Sequence, residues 1–336
     1  MKSEKIIPIV FVANDKFINQ VSALITSIVT NSSQKNLFYF YVLNSDITDQ
    51  NQTLLRNHLC KYNASCQINF IDMKSYTSNE KLQKYLNSDT YITPETYYRF
   101  YIIEIFSQYK KILYLDCDMI VVDDIDKLYG INIDDYYAAV VEDFAVVNSF
   151  IKNRLDIFSK FSWDQYLKEK LQKKDKVCFN AGMLLLNLEN LRKDNVEQKL
   201  FDFLERQSPL QYQDQDVLNS VFDCKVKFID EKFNLLQSRF LKEPVIVHYI
   251  GSNKPWNSYK TNDYFELYWK YLKLTPYWSD ELLKLYNKLK SKYFVLKMFN
   301  FELFRIRQDK RHYKIKLLFL RLTINKKWLF FCKTYE

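Results

Sequence analysis

Glycine is nearly absent from this chain of 336 residues: Gly130, Gly182 and Gly251 are the only three, and they stand far apart. Three scattered glycines cannot line a phosphate-cradling loop, which excludes the Gly-rich fingerprints of dinucleotide-binding and P-loop folds. Proline is scarce too, with six residues, so long linkers and low-complexity or disordered stretches do not fit the composition. The six cysteines (Cys60, Cys66, Cys117, Cys178, Cys224, Cys332) include no Cys-x-x-Cys pair. Their spacing suits neither a zinc site nor a disulfide scaffold and points to a reducing compartment. No run reaches the ~18 unbroken apolar residues that a membrane span needs. The opening Met1-Lys2-Ser3-Glu4-Lys5 carries an acid and does not read as a signal peptide.

What is abundant is apolar surface, 48% of residues, enough for one large domain or two small ones. The net charge is +9, but unevenly spread. From Glu281 onward 15 lysines and arginines face 4 acids, so the tail alone exceeds the net charge of the whole and the remainder is slightly acidic.

One stretch organises the reading: Lys111-Ile112-Leu113-Tyr114-Leu115-Asp116-Cys117-Asp118-Met119-Ile120-Val121-Val122. An apolar run of this kind is a buried strand. It runs straight into two carboxylates, and residues i and i+2 of an extended segment point the same way. Asp116 and Asp118 can therefore converge on a hard cation, Mg²⁺ or Mn²⁺ rather than zinc, able to grip a diphosphate. Asp-x-Asp is also a common turn or helix cap, so the rest of the chain has to decide.

Lys5 to Ala13 reads as a first strand, with Asn14-Asp15 at its end and a helix from about Phe17 to Val29. Polar residues there either cap the helix or face a ligand at the carboxyl edge of a sheet. Strands over 37–43 and 67–71, with a helix from Thr48 to Cys60 between them, continue the strand–helix alternation of a mostly parallel sheet. Thr93-Pro94 opens a further helix, on which Arg99 is either a snorkelling surface residue or an anion contact. Tyr137 to Val141 is a strand ending at Glu142-Asp143, and Phe150 to Gln172 is an amphipathic helix, a plausible flap. A buried strand from Cys178 to Asn187 carries the polar Asn180 just before Gly182, and one helix spans Glu189 to Gln207. Asp214 and Gln215 fall in the first turn of the next helix, where they either cap it or meet a ligand. A last strand and loop, Pro244 to Trp256, holds His248, Gly251 and Lys254.

The tail mixes aromatic and aliphatic clusters with lysine and arginine, as in Lys314 to Leu322 and Lys326 to Phe331. This reads as a basic amphipathic helical region over 261–336 that settles on an anionic membrane surface, the alternative being a solvated basic helix pair packed on the core. Nucleic acid does not fit, because the apolar residues cluster instead of spacing single stacking platforms.

Four motifs occur in one order: Leu115-Asp116-Cys117-Asp118, Phe179-Asn180-Ala181-Gly182, Tyr212-Gln213-Asp214-Gln215-Asp216, and His248-Tyr249-Ile250-Gly251-Ser252-Asn253-Lys254-Pro255-Trp256. With them the sequence resembles family 8 of the retaining glycosyltransferases, from about Ile6 to Trp256. That group includes bacterial lipopolysaccharide galactosyl- and glucosyltransferases and glycogenin.

The resemblance implies an α/β protein of GT-A fold. Its single Rossmann-like nucleotide-sugar-binding domain over 1–260 has a mostly parallel central sheet, and 261–336 is the tail. It implies Mn²⁺ (or Mg²⁺), a UDP-hexose donor of glucose or galactose, and α-linked products on a glycan or lipid-linked acceptor. By position, Asp116, Asp118 and His248 hold the metal, with Cys117 between the two acids at the donor. Gly251 and Lys254 contact the phosphates. Ala13, Asn14 and Asp15 face the uridine side, and Arg99, Asn180 and Asp214 the sugar. Gln215 sits near the anomeric carbon, with Asp214 as the other catalytic candidate, and Asp143 or Glu142 touches donor or acceptor. The chain departs from the family at Asn14, where an acid is usual; an asparagine amide still hydrogen-bonds uracil. The expected place is the cytoplasmic face of the cell membrane, as a peripheral protein. Protein- or self-glucosylation, suggested by 26 tyrosines, and a catalytically silent binding module are the competing readings.

Overall fold

The apolar run Lys-Ile-Ile-Pro-Ile-Val-Phe-Val forms β1 (Lys5–Val12) of a computed structural model of the chain. The structure describes residues 5–33, 35–63, 65–77, 95–144, 146, 162–252, 254–257 and 264–290, and the backbone of four strands between 293 and 325. These residues divide into two compact units, Met1–Leu235 with Leu241–His248, and Leu236–Phe240 with Tyr249–Glu336.

In the first unit β1, β2 (Asn36–Asn44), β3 (Gln67–Asp72) and β4 (Lys111–Leu115) lie parallel in the order β3-β2-β1-β4. β5 (Met119–Val121) leaves this sheet. β6 (Ala138–Glu142), β7 (Phe179–Asn187) and β8 (Val226–Phe228) extend it in the order β4-β7-β6-β8. β7 is antiparallel to both neighbours, and β8 is parallel to β6. After the two-residue β9 (Leu235–Leu236) comes β10 (Ile246–His248), which pairs antiparallel with β5 and sets His248 opposite Met119. All nine residues of β7 are buried, as expected of a central strand covered on both faces.

Helices supply that cover. A 3₁₀ turn (Asp15–Phe17) leads into α1 (Ile18–Asn31). From α1, Ser27 Oγ accepts from Val121 N at 3.0 Å and Asn31 Nδ2 donates to Val121 O at 2.9 Å. These bonds hold the far end of β5, the strand that follows Asp118. α2 (Asp49–Cys60) is capped by Thr48, whose hydroxyl accepts from Asn51 N. Residues 95–105 are helical in three short pieces, with Arg99 in the middle one.

Three expectations are corrected. The single helix over Glu189 to Gln207 is two, α3 (Leu188–Lys193) and α4 (Val196–Gln207). Asn195 between them has φ 51° and ψ 46°, the left-handed conformation that asparagine tolerates better than most residues. The long amphipathic helix over Phe150 to Gln172 is, in its described part, a short helix at Trp163–Gln165 and a π turn at Tyr166–Lys170; 147–161 lie outside the described residues, as do Thr93 and Pro94. α5 (Asp214–Val221) closes the first unit's helices.

The third correction concerns the tail. In the second unit α6 (Phe265–Leu272) and α7 (Asp280–Lys290) are helical, and Trp269 packs among Phe265, Tyr268, Trp278 and Tyr286. Beyond them the backbone is a four-stranded antiparallel sheet: β11 (Tyr293–Met298), β12 (Phe301–Gln308), β13 (His312–Leu317) and β14 (Arg321–Asn325). The sequence explains why. Lys314-Ile315-Lys316-Leu317 and Arg321-Leu322-Thr323-Ile324 alternate with period two, the strand period, and not with the 3.6 of a helix. Residues 326–331 lie outside the described residues. Among the described residues no helix is long and apolar enough to cross a membrane.

His58 of α2 gives the first unit a pH dependence. Thr26 donates its hydroxyl proton to Ser22 O, so it accepts from His58 Nε2 at 2.8 Å. Burial, helped by Lys61, pulls the His58 pKa from 6.5 down to about 4. The unfolded chain therefore takes a proton in a range where the folded chain refuses it, and stability falls as pH drops through that range. Thermal melts between about pH 7.5 and 4.5 should show a smaller acid-side drop in Tm for His58→Gln than for wild type. Equal drops would rule out His58 as the cause.

Candidate active site

Where β4 ends, Asp116 N still donates to Gly182 O of β7 at 2.8 Å. The chain then turns through Cys117 and Asp118 into β5. The two acids thus share a turn between two sheets, not the extended strand expected from their spacing. Because β5 pairs with β10, the turn brings both acids to His248. His248 Nε2 lies 3.2 Å from Asp118 Oδ1 and 3.9 Å from Asp116 Oδ2. One ligand atom from each of the three residues lies within 4.8 Å of the others. Two carboxylate oxygens and an imidazole nitrogen suit a divalent cation of the Mn²⁺ type.

Gly182 makes this convergence possible. A Cβ there would lie 2.4 Å from His248 Cε1, 2.8 Å from Asp116 Oδ2 and 3.0 Å from Asn180 Oδ1. No side chain fits without displacing the trio.

Arg99 braces the next layer. Its guanidinium donates to Asp116 Oδ1 and Ala181 O, each at 3.0 Å, and forms an ion pair with Asp214 Oδ2 at 3.1 Å. It also lies over the Tyr114 ring, 4.6 Å from the centroid, while the Tyr114 hydroxyl donates to Asp116. Burial opposes its charge, but Asp214, Tyr114 and Asp116 together hold its pKa above the ordinary arginine range. Arg99 is thus not a snorkelling surface residue: its charge is held by two carboxylates of the chain itself. Burial raises the Asp214 pKa to about 6, against the pull of Arg99.

α5 is locked to β7 by two side chains one turn apart. Asn219, buried, accepts from Phe179 N and donates to Phe179 O, each at 2.9 Å. Gln215 accepts from Ala181 N at 3.0 Å and donates to Asp143 Oδ2 at 3.1 Å. Asn180 donates to the same carboxylate oxygen at 3.0 Å and to Gln215 Oε1 at 3.4 Å. Asp216 turns away and accepts from the Tyr166 hydroxyl at 2.6 Å and Tyr212 N at 2.7 Å; burial lifts its pKa to about 7. A cavity of about 350 Å³ opens among Arg99, Asp116, Gly182, Tyr212, Asp214 and Gln215.

Arg99, Asp116, Asn180, Asp214 and Gln215 thus line one cavity, with Asp118 and His248 beside Asp116. Ala13 is buried at the end of β1, and Cys117 is half-buried in the turn. Asn14 follows Ala13; its Oδ1 is buried with no hydrogen-bond partner among the described residues. The Asp15 carboxylate faces the neighbouring loop, where Oδ1 accepts from Thr48 N, Thr48 Oγ1 and Asn51 Nδ2. Gly251, with φ +67°, and Lys254, whose Nζ donates to Tyr249 O at 2.6 Å, belong to the second unit. Sequence reasoning missed Tyr114, Asn219 and Asn234. Signals existed for Asn219, a polar residue four positions past Gln215 and so on the same helix face, and for Tyr114, two positions before Asp116 and so on the same side of the strand; Asn234 reaches the site only through tertiary contact.

The profile of glycosyl transferase family 8 matches residues 8–260. A putative glycosyltransferase of Haemophilus influenzae is 28% identical over 261 residues, covering 74% of this chain and 72% of that protein. The lipopolysaccharide 1,2-glucosyltransferase of Escherichia coli is 28% identical over 273 residues, 73% of each. Among solved structures, the galactosyltransferase LgtC, in complex with donor and acceptor sugar analogues, superposes with a TM-score of 0.66 at 21% identity. That match covers 83% of this chain and 100% of LgtC, a likeness of fold. The sheet order, the site at its carboxyl edge and the family match over three-quarters of its length lead to one conclusion: this chain is a GT-A-fold glycosyltransferase and belongs to glycosyl transferase family 8.

Proposed function

We propose that the chain transfers glucose or galactose from a UDP-sugar to a hydroxyl of a glycan or lipid-linked acceptor, with Mn²⁺ or Mg²⁺ and with retention, giving an α-linkage. The observation that carries this is the convergence of Asp116, Asp118 and His248 beside a polar cavity holding Arg99, Asp214 and Gln215. These three residues would hold the cation, which when bound neutralises the departing diphosphate. The lipopolysaccharide 1,2-glucosyltransferase and the galactosyltransferase among the similar proteins support the choice of hexose and acceptor class.

The chain's own groups fit the reaction. The buried, unpartnered Asn14 Oδ1 is an acceptor suited to the N3–H of uracil. Arg99 keeps Asp116 and Asp214 apart in charge and fixed in position. Asp214 lines the cavity, where its carboxylate would face the positive charge that develops on the sugar ring. Gln215 has both ends of its amide occupied, by Ala181 N and Asp143, and an amide oxygen is a weak nucleophile. We therefore favour attack by the acceptor hydroxyl on the face from which UDP leaves. The new acceptor–C1 bond forms as the C1–O bond to UDP breaks, and the hydroxyl proton passes to the diphosphate.

The basic tail supports a peripheral place on an anionic, cytoplasm-facing membrane surface, through charge and not through an amphipathic helix over 293–325.

Purified protein with Mn²⁺ should release UDP from a UDP-hexose in the presence of a glycan acceptor, and Asp116→Asn or Asp118→Asn should cut the rate by about 100-fold or more. No release from any UDP-hexose across a panel of acceptors would defeat the reading. Gly182→Ala should stay folded, yet lose both the UDP release and the rise in Tm that Mn²⁺ with UDP gives wild type. A Gly182→Ala protein that keeps both would show that the trio does not need the space its Cβ takes.

A further inference from the structure

We infer that Asn234 is a positioning residue that fixes the tautomer of His248, so that the imidazole presents its bare Nε2 to the two aspartates. The inference rests on the metal reading above and adds a residue to it. Asn234 follows a 3₁₀ turn (Glu231–Phe233) and is 2% exposed, so its amide is shielded from bulk solvent and is paired within the protein.

The polarity of the chain of amides follows from backbone groups, whose donors are not in doubt. Gly182 N–H donates to Asn180 Oδ1 at 3.0 Å, so that atom is the oxygen. The Asn234 atom 2.9 Å from Asn180 Oδ1 must then be a donor, Nδ2. This leaves Asn234 Oδ1 facing His248 Nδ1 at 3.0 Å, which must carry the proton. In the neutral ring Nε2 is then a lone pair, aimed at Asp118 Oδ1 and Asp116 Oδ2. Lone pair against carboxylate is repulsive unless a cation lies between them.

The far end is anchored in the same way. Ala181 N–H donates to Gln215 Oε1, so Gln215 Nε2 donates to Asp143, and Asn180 Nδ2 points to the same carboxylate. Neither amide can flip without placing like atoms together, so Asn234 cannot reverse to accept from Asn180. A histidine ligand oriented by a partner on its other nitrogen is a general device for raising metal affinity. Here the partner is an amide whose own direction is set by the strand β7.

The test is Mn²⁺ binding to the full chain, read by the loss of the free-ion EPR signal, with and without UDP. Asn234→Leu should weaken Mn²⁺ by about tenfold to a hundredfold. Asn234→Asp, which still accepts from Nδ1–H although its other oxygen now faces Asn180 Oδ1, should bind Mn²⁺ at least about threefold more tightly than Asn234→Leu. If the leucine variant does not fold, Asn234→Ala carries the same expectation. Wild-type affinity in the leucine or alanine variant would overturn the role of Asn234 while leaving the metal site standing. Equal losses in the leucine and aspartate variants would overturn it as well, since a purely structural asparagine predicts that. Wild-type protein that binds no Mn²⁺ would instead sink the metal reading, and this inference with it.

Discussion

Two carboxylates and an imidazole nitrogen converge at the edge of the sheet, one ligand atom of each within 4.8 Å of the others. The rest of the first unit follows from holding them there. Gly182 gives up its side chain so that His248 and Asp116 can close over the strand. Arg99 neutralises the outer oxygen of Asp116 and so leaves the inner one for the trio. The trio sits at the carboxyl edge, where parallel α/β sheets place ligands.

The scaffold around the trio is rigid for a physical reason. β4 and β5 belong to different sheets, and the turn between them is the acid-bearing segment itself. α1 pins β5 from one side through Ser27 and Asn31, and β10 pairs with it to deliver His248. On β7, backbone donors at Phe179, Ala181 and Gly182 are taken by Asn219, Gln215 and Asn180 in turn. The strand thereby sets the register of α5 and the direction of these three amides. Such pre-organisation is what transfer chemistry requires, since fixed dipoles need not reorganise as charge develops.

Much of this was legible in the sequence. The apolar runs into Asp116 and around Asn180 are strands because both faces are buried, and hydrophobicity alone reports that. The pairing of Asp116 with Asp118 was also legible, but for a different reason from the one their spacing suggests: they meet on a turn. Asp15 ties two loops together through Thr48 and Asn51, contacts between distant parts of the chain that no local pattern reports. The break at Asn195 is a single residue in a left-handed conformation inside an otherwise helical pattern. In the tail, α6 and α7 are helical as the pattern implies, while the period-two alternation further on makes strands between 293 and 325. Asn234 carries no local signal at all; it matters only through what folding places beside it.

The most direct measurement is anomalous diffraction at the manganese edge from crystals grown with Mn²⁺ and UDP. The account predicts one strong peak within coordination distance of Asp116, Asp118 and His248, with a diphosphate oxygen completing the sphere. A manganese peak elsewhere, or UDP seated with no metal among these three residues, would contradict it.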